Sequence, residues 1–227
     1  MGELLRFQPF DEGGVVRVYQ HGFLPHWRQA GCTYFVTFRL ADSIPQTLMR
    51  EWHDECQAWL AARRIEIRNG DWQSALTQLS SADRATFGRH FEELLFDYLD
   101  RGYGECVLRD EVSRSIVSEA LSHFHRQRLD VGDWVVMPNH VHALMTPYPG
   151  LELEELLHSV KSYTAKQINK QFNRSGTLWL SESYDHIVRD AEDLLRIQAY
   201  IRANPTKADL KDAEFTSHTA EYQLKSR

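Results

Sequence analysis

Cysteine is scarce in this chain. Of 227 residues, three are cysteine, at positions 32, 56 and 106, and none stands in a CxxC pair. That excludes a disulfide framework and a cysteine-zinc knuckle, and leaves buried free thiols in a reducing compartment. No apolar run is long enough to cross a bilayer. The opening Met1-Gly2-Glu3-Leu4-Leu5-Arg6 lacks the basic-then-apolar order of a signal peptide, and Arg6 stands where a myristoylation pattern needs Ser or Thr. The expectation is a cytoplasmic protein without membrane contact. A surplus of positive charge is missing too: 26 Lys and Arg against 32 Asp and Glu leave a net charge of -6. A broadly basic, duplex-coating surface is thereby excluded, while a local basic patch is not.

What is present is an ordinary globular composition, 42% hydrophobic and 26% charged. Residues 1–30, with Gly13-Gly14 and Pro25, read as irregular. Thr33 to Leu40 is β-branched and aromatic and reads as a strand. Pro45 opens a helix through Leu48, Trp52, Cys56, Trp59 and Leu60, broken at Asn69-Gly70-Asp71. A second helix follows from Ser81, and a third from Asp110. Two strands, Asp133 to Met137 and His140 to Thr146, are joined around Pro138-Asn139. A long helix spans Leu151 to Phe172. Tyr184 to Val188 reads as a strand, and Asp190 caps a last helix closed by Asn204-Pro205. Residues 211–227 are polar and expected to fray.

Without the segment 45–105, the order is strand, helix, strand, strand, helix, strand, helix. That is an α+β fold, a ferredoxin-like split βαβ antiparallel sheet with an added C-terminal helix and a helical insertion after the first strand. We expect one domain over residues 1–210, with 45–105 as its helical elaboration.

The run Met137-Pro138-Asn139-His140-Val141-His142 carries the chemistry. Side chains alternate along a strand, so His140 and His142 share a face and offer two nitrogen ligands side by side. Tyr200 and Asn204, four apart, share a helix face. If that face looks at the histidines, two imidazoles and the Asn204 amide oxygen can hold a divalent ion, with the Tyr200 phenol beside it. Two imidazoles alone suit zinc, whereas an amide oxygen and a phosphate favour Mg²⁺ or Mn²⁺. Blander readings compete: solvent-facing histidines, Tyr200 as a core aromatic, and Asn204 as a helix cap, level with its reading as a ligand. Tyr163, placed in the apolar stripe of its helix, and Tyr184 are rival phenols. His186 is the reserve ligand. Arg189 offers itself to phosphate or to an ion pair with Asp185 or Asp190. Asp133 and Trp134 read as structural.

The Met-Pro-Asn-His-Val-His strand, Leu178-Trp179, the run Tyr184-Asp185-His186-Ile187-Val188-Arg189-Asp190 and the Tyr-Ile-x-x-Asn-Pro helix end together resemble the single-tyrosine HUH transposases, in particular the REP-associated branch. The resemblance spans about residues 30 to 210, weakest between 45 and 105. It implies metal-dependent nicking and rejoining of single-stranded DNA at a hairpin. His140 and His142 would be catalytic metal ligands, Asn204 the third, Tyr200 the nucleophile forming a 5′-phosphotyrosine, and Mg²⁺ or Mn²⁺ the ion. Many relatives carry Gln where Asn204 stands. The resemblance further implies a cytoplasmic, nucleoid-associated protein, monomeric or homodimeric, with Lys161, Lys166, Lys170, Arg174 and Arg189 meeting DNA phosphates. Trp179 or Tyr184 would stack an unpaired base. The competing reading is an inactive nucleic-acid-binding regulator of the same fold. A His-x-His-x-His nucleotide hydrolase fails because Leu144 holds the third place.

Overall fold

The computed structural model describes residues 4–21, 24–68 and 70–224. The N-terminal stretch, expected to be irregular, contains three strands: β1 (Leu5–Arg6), β2 (Arg17–His21) and β3 (Leu24–Arg28), the last two paired as an antiparallel hairpin. Pro25 obscured this hairpin, yet proline, which has no N–H to donate, is tolerated where both strands of a ribbon are edges.

The strand Tyr34–Arg39 is β4. Its residues alternate between two packed layers, with Tyr34, Val36 and Phe38 in one core and Phe35 in the other. Helices α1 (Gln46–Ala61), α2 (Trp72–Thr77) and α3 (Ser81–Asp100) form the elaboration. Sequence reading missed α2, a short helix capped by Asp71, whose carboxylate accepts from the Ser74 amide at 2.9 Å. Asn69, read as part of the break, lies outside the described residues. Helix α3 is capped by Ser80, one residue earlier than expected.

A 3-10 turn (Val107–Arg109) leads into α4 (Glu111–His123), which Asp110 caps as expected. Strands β5 (Leu129–Val136) and β6 (His140–Pro147) and helix α5 (Leu153–Gln171) follow, then β7 (Tyr184–Ile187) and α6 (Ala191–Lys207). The closing elements are β8 (Thr216–His218) and β9 (Tyr222–Gln223).

The central sheet has the order β7-β4-β6-β5-β8, antiparallel throughout. Without β8, this is the expected split βαβ arrangement. Helices α4 and α5 cover one face through Val117, Leu121, Leu156, Val160 and Ile168. Helices α1, α3 and α6 cover the other through Trp52, Phe91, Phe96, Leu99, Leu194, Ile197 and Ile201. All three cysteines are buried free thiols.

Two expectations about the C-terminal region are corrected. Helix α6 continues past Asn204-Pro205 to a cap at Ala208, because a proline in the last turn forfeits only one N–H. The polar segment after residue 210 is not frayed: β8 pairs with β5, and β9 pairs with β1. The Tyr222 hydroxyl lies over Gly132, where an added Cβ would stand 1.7 Å from it, so only glycine fits. Residues 225–227 lie outside the described set.

Candidate active site

Register places the site. Thr37 stands opposite His142 and Arg39 opposite His140, so these four residues share the sheet face covered by α3 and α6. Both imidazoles are fully buried. Their Nε2 atoms are 3.0 Å apart. His140 Nδ1 is 2.8 Å from the Asn139 amide oxygen, and the Asn139 amide nitrogen donates to the carbonyls of Leu99 (3.2 Å) and Tyr103 (3.1 Å). The C-terminal end of α3 thus orients His140 through Asn139. His142 Nδ1 is 2.7 Å from Thr37 Oγ1, a hydroxyl able to donate or accept as the imidazole tautomer requires.

Helix α6 delivers the phenol. The Tyr200 hydroxyl is 3.3 Å from His142 Nε2 and accepts from Asn204 Nδ2 at 3.2 Å. Phe96 of α3 stacks on the Tyr200 ring at 5.6 Å and meets His142 edge-on at 5.1 Å. Asp133 seats the helix. It lies in the irregular register of β5 between Val131 and Trp134, is fully buried, and accepts from Gln198 Nε2 (2.7 Å), Arg202 Nε (2.7 Å) and the Ala220 amide (3.2 Å). Sequence reading took Asp133 as structural and missed that it anchors the tyrosine helix; an acid beside Gly132 within an apolar strand was the available signal.

Burial dominates the site's electrostatics. It pushes His140 down to about 3, and pushes His142 well below its ordinary value with help from neighbouring His140. Both imidazoles are therefore neutral near pH 7, the state in which they ligate metal. Burial, followed by the charges of Asp100, Glu92 and Asp97, pushes the Tyr200 phenol well up.

The donor set fits a divalent cation. Asn204 Oδ1 is buried without a hydrogen-bond partner, an orphaned acceptor beside two neutral imidazoles. Two nitrogens each about 2.1 Å from one ion lie about 3.0 Å apart when they bind at a right angle. Among the described residues, no group of three His, Cys, Asp or Glu side chains is placed to hold a metal. Asn204 sits inside α6, not at its end, which removes the helix-cap reading.

The other sequence-named residues fall elsewhere. His186 is on β7, beyond the Phe35 ring from His142, with Asp193 at 3.7 Å and Glu92 at 3.9 Å, and is no ligand to this site. Tyr163 is half exposed on α5, not part of the packed stripe and across the sheet from the histidines. Tyr184 bonds to His186 at 3.2 Å, and burial and then Glu92 drive its phenol up. Trp179 is a core residue: it is buried, donates to Thr164 Oγ1 at 2.8 Å and packs on Phe38 at 5.0 Å, which removes it as a base platform.

Lys161 turns inward and donates to the carbonyls of Leu180 (3.0 Å) and Ser181 (3.1 Å) and to Ser183 Oγ (2.6 Å); burial brings it down to about 8. Arg174 pairs with Glu105. Lys166 and Lys170 are exposed on α5, the layer opposite the histidines, and Arg189 is exposed before α6. Asp185 is taken by Arg28 and, at 2.6 Å, by His26, so it is not the partner of Arg189.

Residues 103–204 match the family model described as "Transposase IS200 like". That stretch holds His140, His142, Tyr200 and Asn204, and leaves out β4 and almost all of the elaboration. The likeness inferred from the motifs thus recurs in the segment that holds these four residues. No curated protein matches the chain. A solved structure described as the REP associates tyrosine transposase bound to a REP hairpin is 13% identical, with 92% of this chain and 96% of that chain covered and a TM-score of 0.41. No helix among the described residues is long and apolar enough to cross a membrane.

Proposed function

We propose that this protein is a metal-dependent single-stranded DNA endonuclease and strand transferase that acts on hairpin DNA through a 5′-phosphotyrosine intermediate. One observation carries the reading: the Tyr200 hydroxyl lies 3.3 Å from His142 Nε2 within the same chain, beside the unpartnered Asn204 oxygen. A phenol so buried and surrounded by acids is a poor nucleophile until positive charge stands next to it. His140, His142 and Asn204 would hold Mg²⁺ or Mn²⁺. When bound, such an ion supplies Lewis-acid stabilisation of charge gathering on the phosphate oxygens.

The chain's own residues do the rest. Thr37 and Asn139 fix the imidazole planes, Asp133 holds α6 in register, and Phe96 keeps the Tyr200 ring against His142. The phenolic oxygen forms the new bond to phosphorus as the bond to the 3′-oxygen breaks. The proton lost by the phenol is balanced by the one the 3′-hydroxyl gains. The phosphotyrosine ester conserves the energy of the broken ester, so rejoining reverses the same step without another energy source.

Incubation with single-stranded hairpin oligonucleotides and Mn²⁺ tests this. The expected result is a covalent protein–DNA adduct resistant to denaturing electrophoresis and missing from Tyr200→Phe. Hairpin binding by the intact protein without any adduct would instead make it a non-catalytic regulator.

A further inference from the structure

The sheet divides the basic residues into two sets. Lys166 and Lys170 project from α5, behind the layer that separates them from the histidines. On the histidine side a cavity opens at the turn between β5 and β6, and its lining includes Asp100, Arg101, Arg109, Pro138, Asn139 and His140 itself. Arg101 and Arg109 are exposed. The Asp100 carboxylate on the same wall shares Lys207 with Asp97, at 3.1 Å and 2.8 Å. Arg109 meets Glu214 at 3.3 Å in a solvent-facing pair, the kind worth little and readily exchanged for another anion. The Arg101 guanidinium stands 5.2 Å from the Tyr98 ring centroid, which orients it without neutralising it.

We propose that this cavity is the entry for the backbone of the single-stranded DNA, with Arg101 and Arg109 each binding one phosphate on either side of the path to His140. Guanidinium groups suit this task because their planar donors match phosphate oxygens and keep their charge at any working pH. The cavity has His140 in its lining, whereas the α5 lysines lie across the sheet from it. A role for the elaboration follows: the end of α3 forms one wall of the entry, so 45–105 belongs to the nucleic-acid interface. This inference rests on the proposed DNA substrate.

The test is fluorescence anisotropy of labelled oligothymidine, with affinity measured across a salt series. Arg101→Gln and Arg109→Gln should each weaken binding several-fold and flatten the slope of log affinity against log salt by about 0.7, one phosphate contact on a single strand. Arg101→Lys should restore the slope, since a point charge still meets phosphate; a merely structural arginine would not be rescued in this way. Lys166→Gln and Lys170→Gln should leave the slope unchanged. Unchanged slopes in both arginine variants, or a loss confined to the lysine variants, overturn the proposal. Oligothymidine binding with these slopes but no adduct on any hairpin would remove the nuclease reading and leave this one standing. Adduct formation with unaltered arginine slopes would do the reverse, and failure of the intact protein to bind any single strand would sink both.

Discussion

Tyr200 and His142 meet on one face of the sheet, hydroxyl 3.3 Å from Nε2 and ring planes at 73°, although 58 residues separate them in the chain. Nothing local brings them together. His142 is placed by its pairing with β4, while Tyr200 is placed by the seating of α6 on Asp133 and by the Phe96 ring. The site is therefore a product of three separate packing decisions, and each can be tested alone.

Thr37→Val removes the hydroxyl that lies 2.7 Å from His142 Nδ1 while preserving shape. Loss of a partner that orients a ligating histidine weakens metal binding about 10–100-fold. Mn²⁺ titration by calorimetry or electron paramagnetic resonance should show that loss with little change in thermal stability. Unaltered Mn²⁺ affinity would argue that Thr37 does not orient a ligand.

Asp133→Ala leaves Gln198, the Ala220 amide and Arg202 without their shared acceptor. Hydrogen bonds to a buried charge are worth more than neutral ones, and Arg202 is half exposed and regains water, so the expected cost is about 2–3 kcal/mol in urea unfolding. Adduct formation should fall further than stability, because α6 loses its register over the histidines. Equal losses in both would make Asp133 a stabilising residue only.

Phe96→Ala empties the space against Tyr200, His142 and Phe35. Deleting a buried phenylalanine costs about 3–5 kcal/mol. Phe96→Leu should recover most of the stability yet leave the Tyr200 ring less restrained, visible as faster exchange of its aromatic NMR signals. Unchanged signals in the leucine variant would show that stacking does not hold the phenol.

Acid should loosen α6 from its first turn. Burial works to raise Asp193, but the neighbouring His186 ring and hydrogen bonds from the Arg189 amide and Arg196 outweigh it and hold the carboxyl well below its usual range. A carboxyl whose folded pKa is depressed contributes stability above its unfolded value, about 3.9, and loses it as pH falls through that value towards the folded one. The urea midpoint of the wild type should therefore drop between about pH 5 and pH 3 more than that of Asp193→Asn. Parallel curves for the two proteins would refute the assignment.

Much of the site was legible because it rests on short-range periodicity. A strand of period two puts His140 and His142 on one face whatever surrounds it, and a helix of period 3.6 does the same for Tyr200 and Asn204. The cap at Asp110 and the alternation of Tyr34–Arg39 are local in the same sense. The failures are non-local. Pro25 looks like a breaker until β2 gives its strand a partner, the polar C-terminal segment looks loose until β8 finds the edge of β5, and Trp179 looks available for stacking until Phe38 and Thr164 enclose it.

What the chain determines by itself, then, is which groups lie together on each element, since backbone geometry alone sets that. Tertiary structure decided which elements face each other: α6 and α3 over the histidines, α5 and its lysines behind the sheet, and Asp133 turned from a strand residue into an anchor. The reason is that layer assignment depends on burying apolar stripes contributed by segments far apart in sequence, and no local pattern records which side of a sheet a helix will cover.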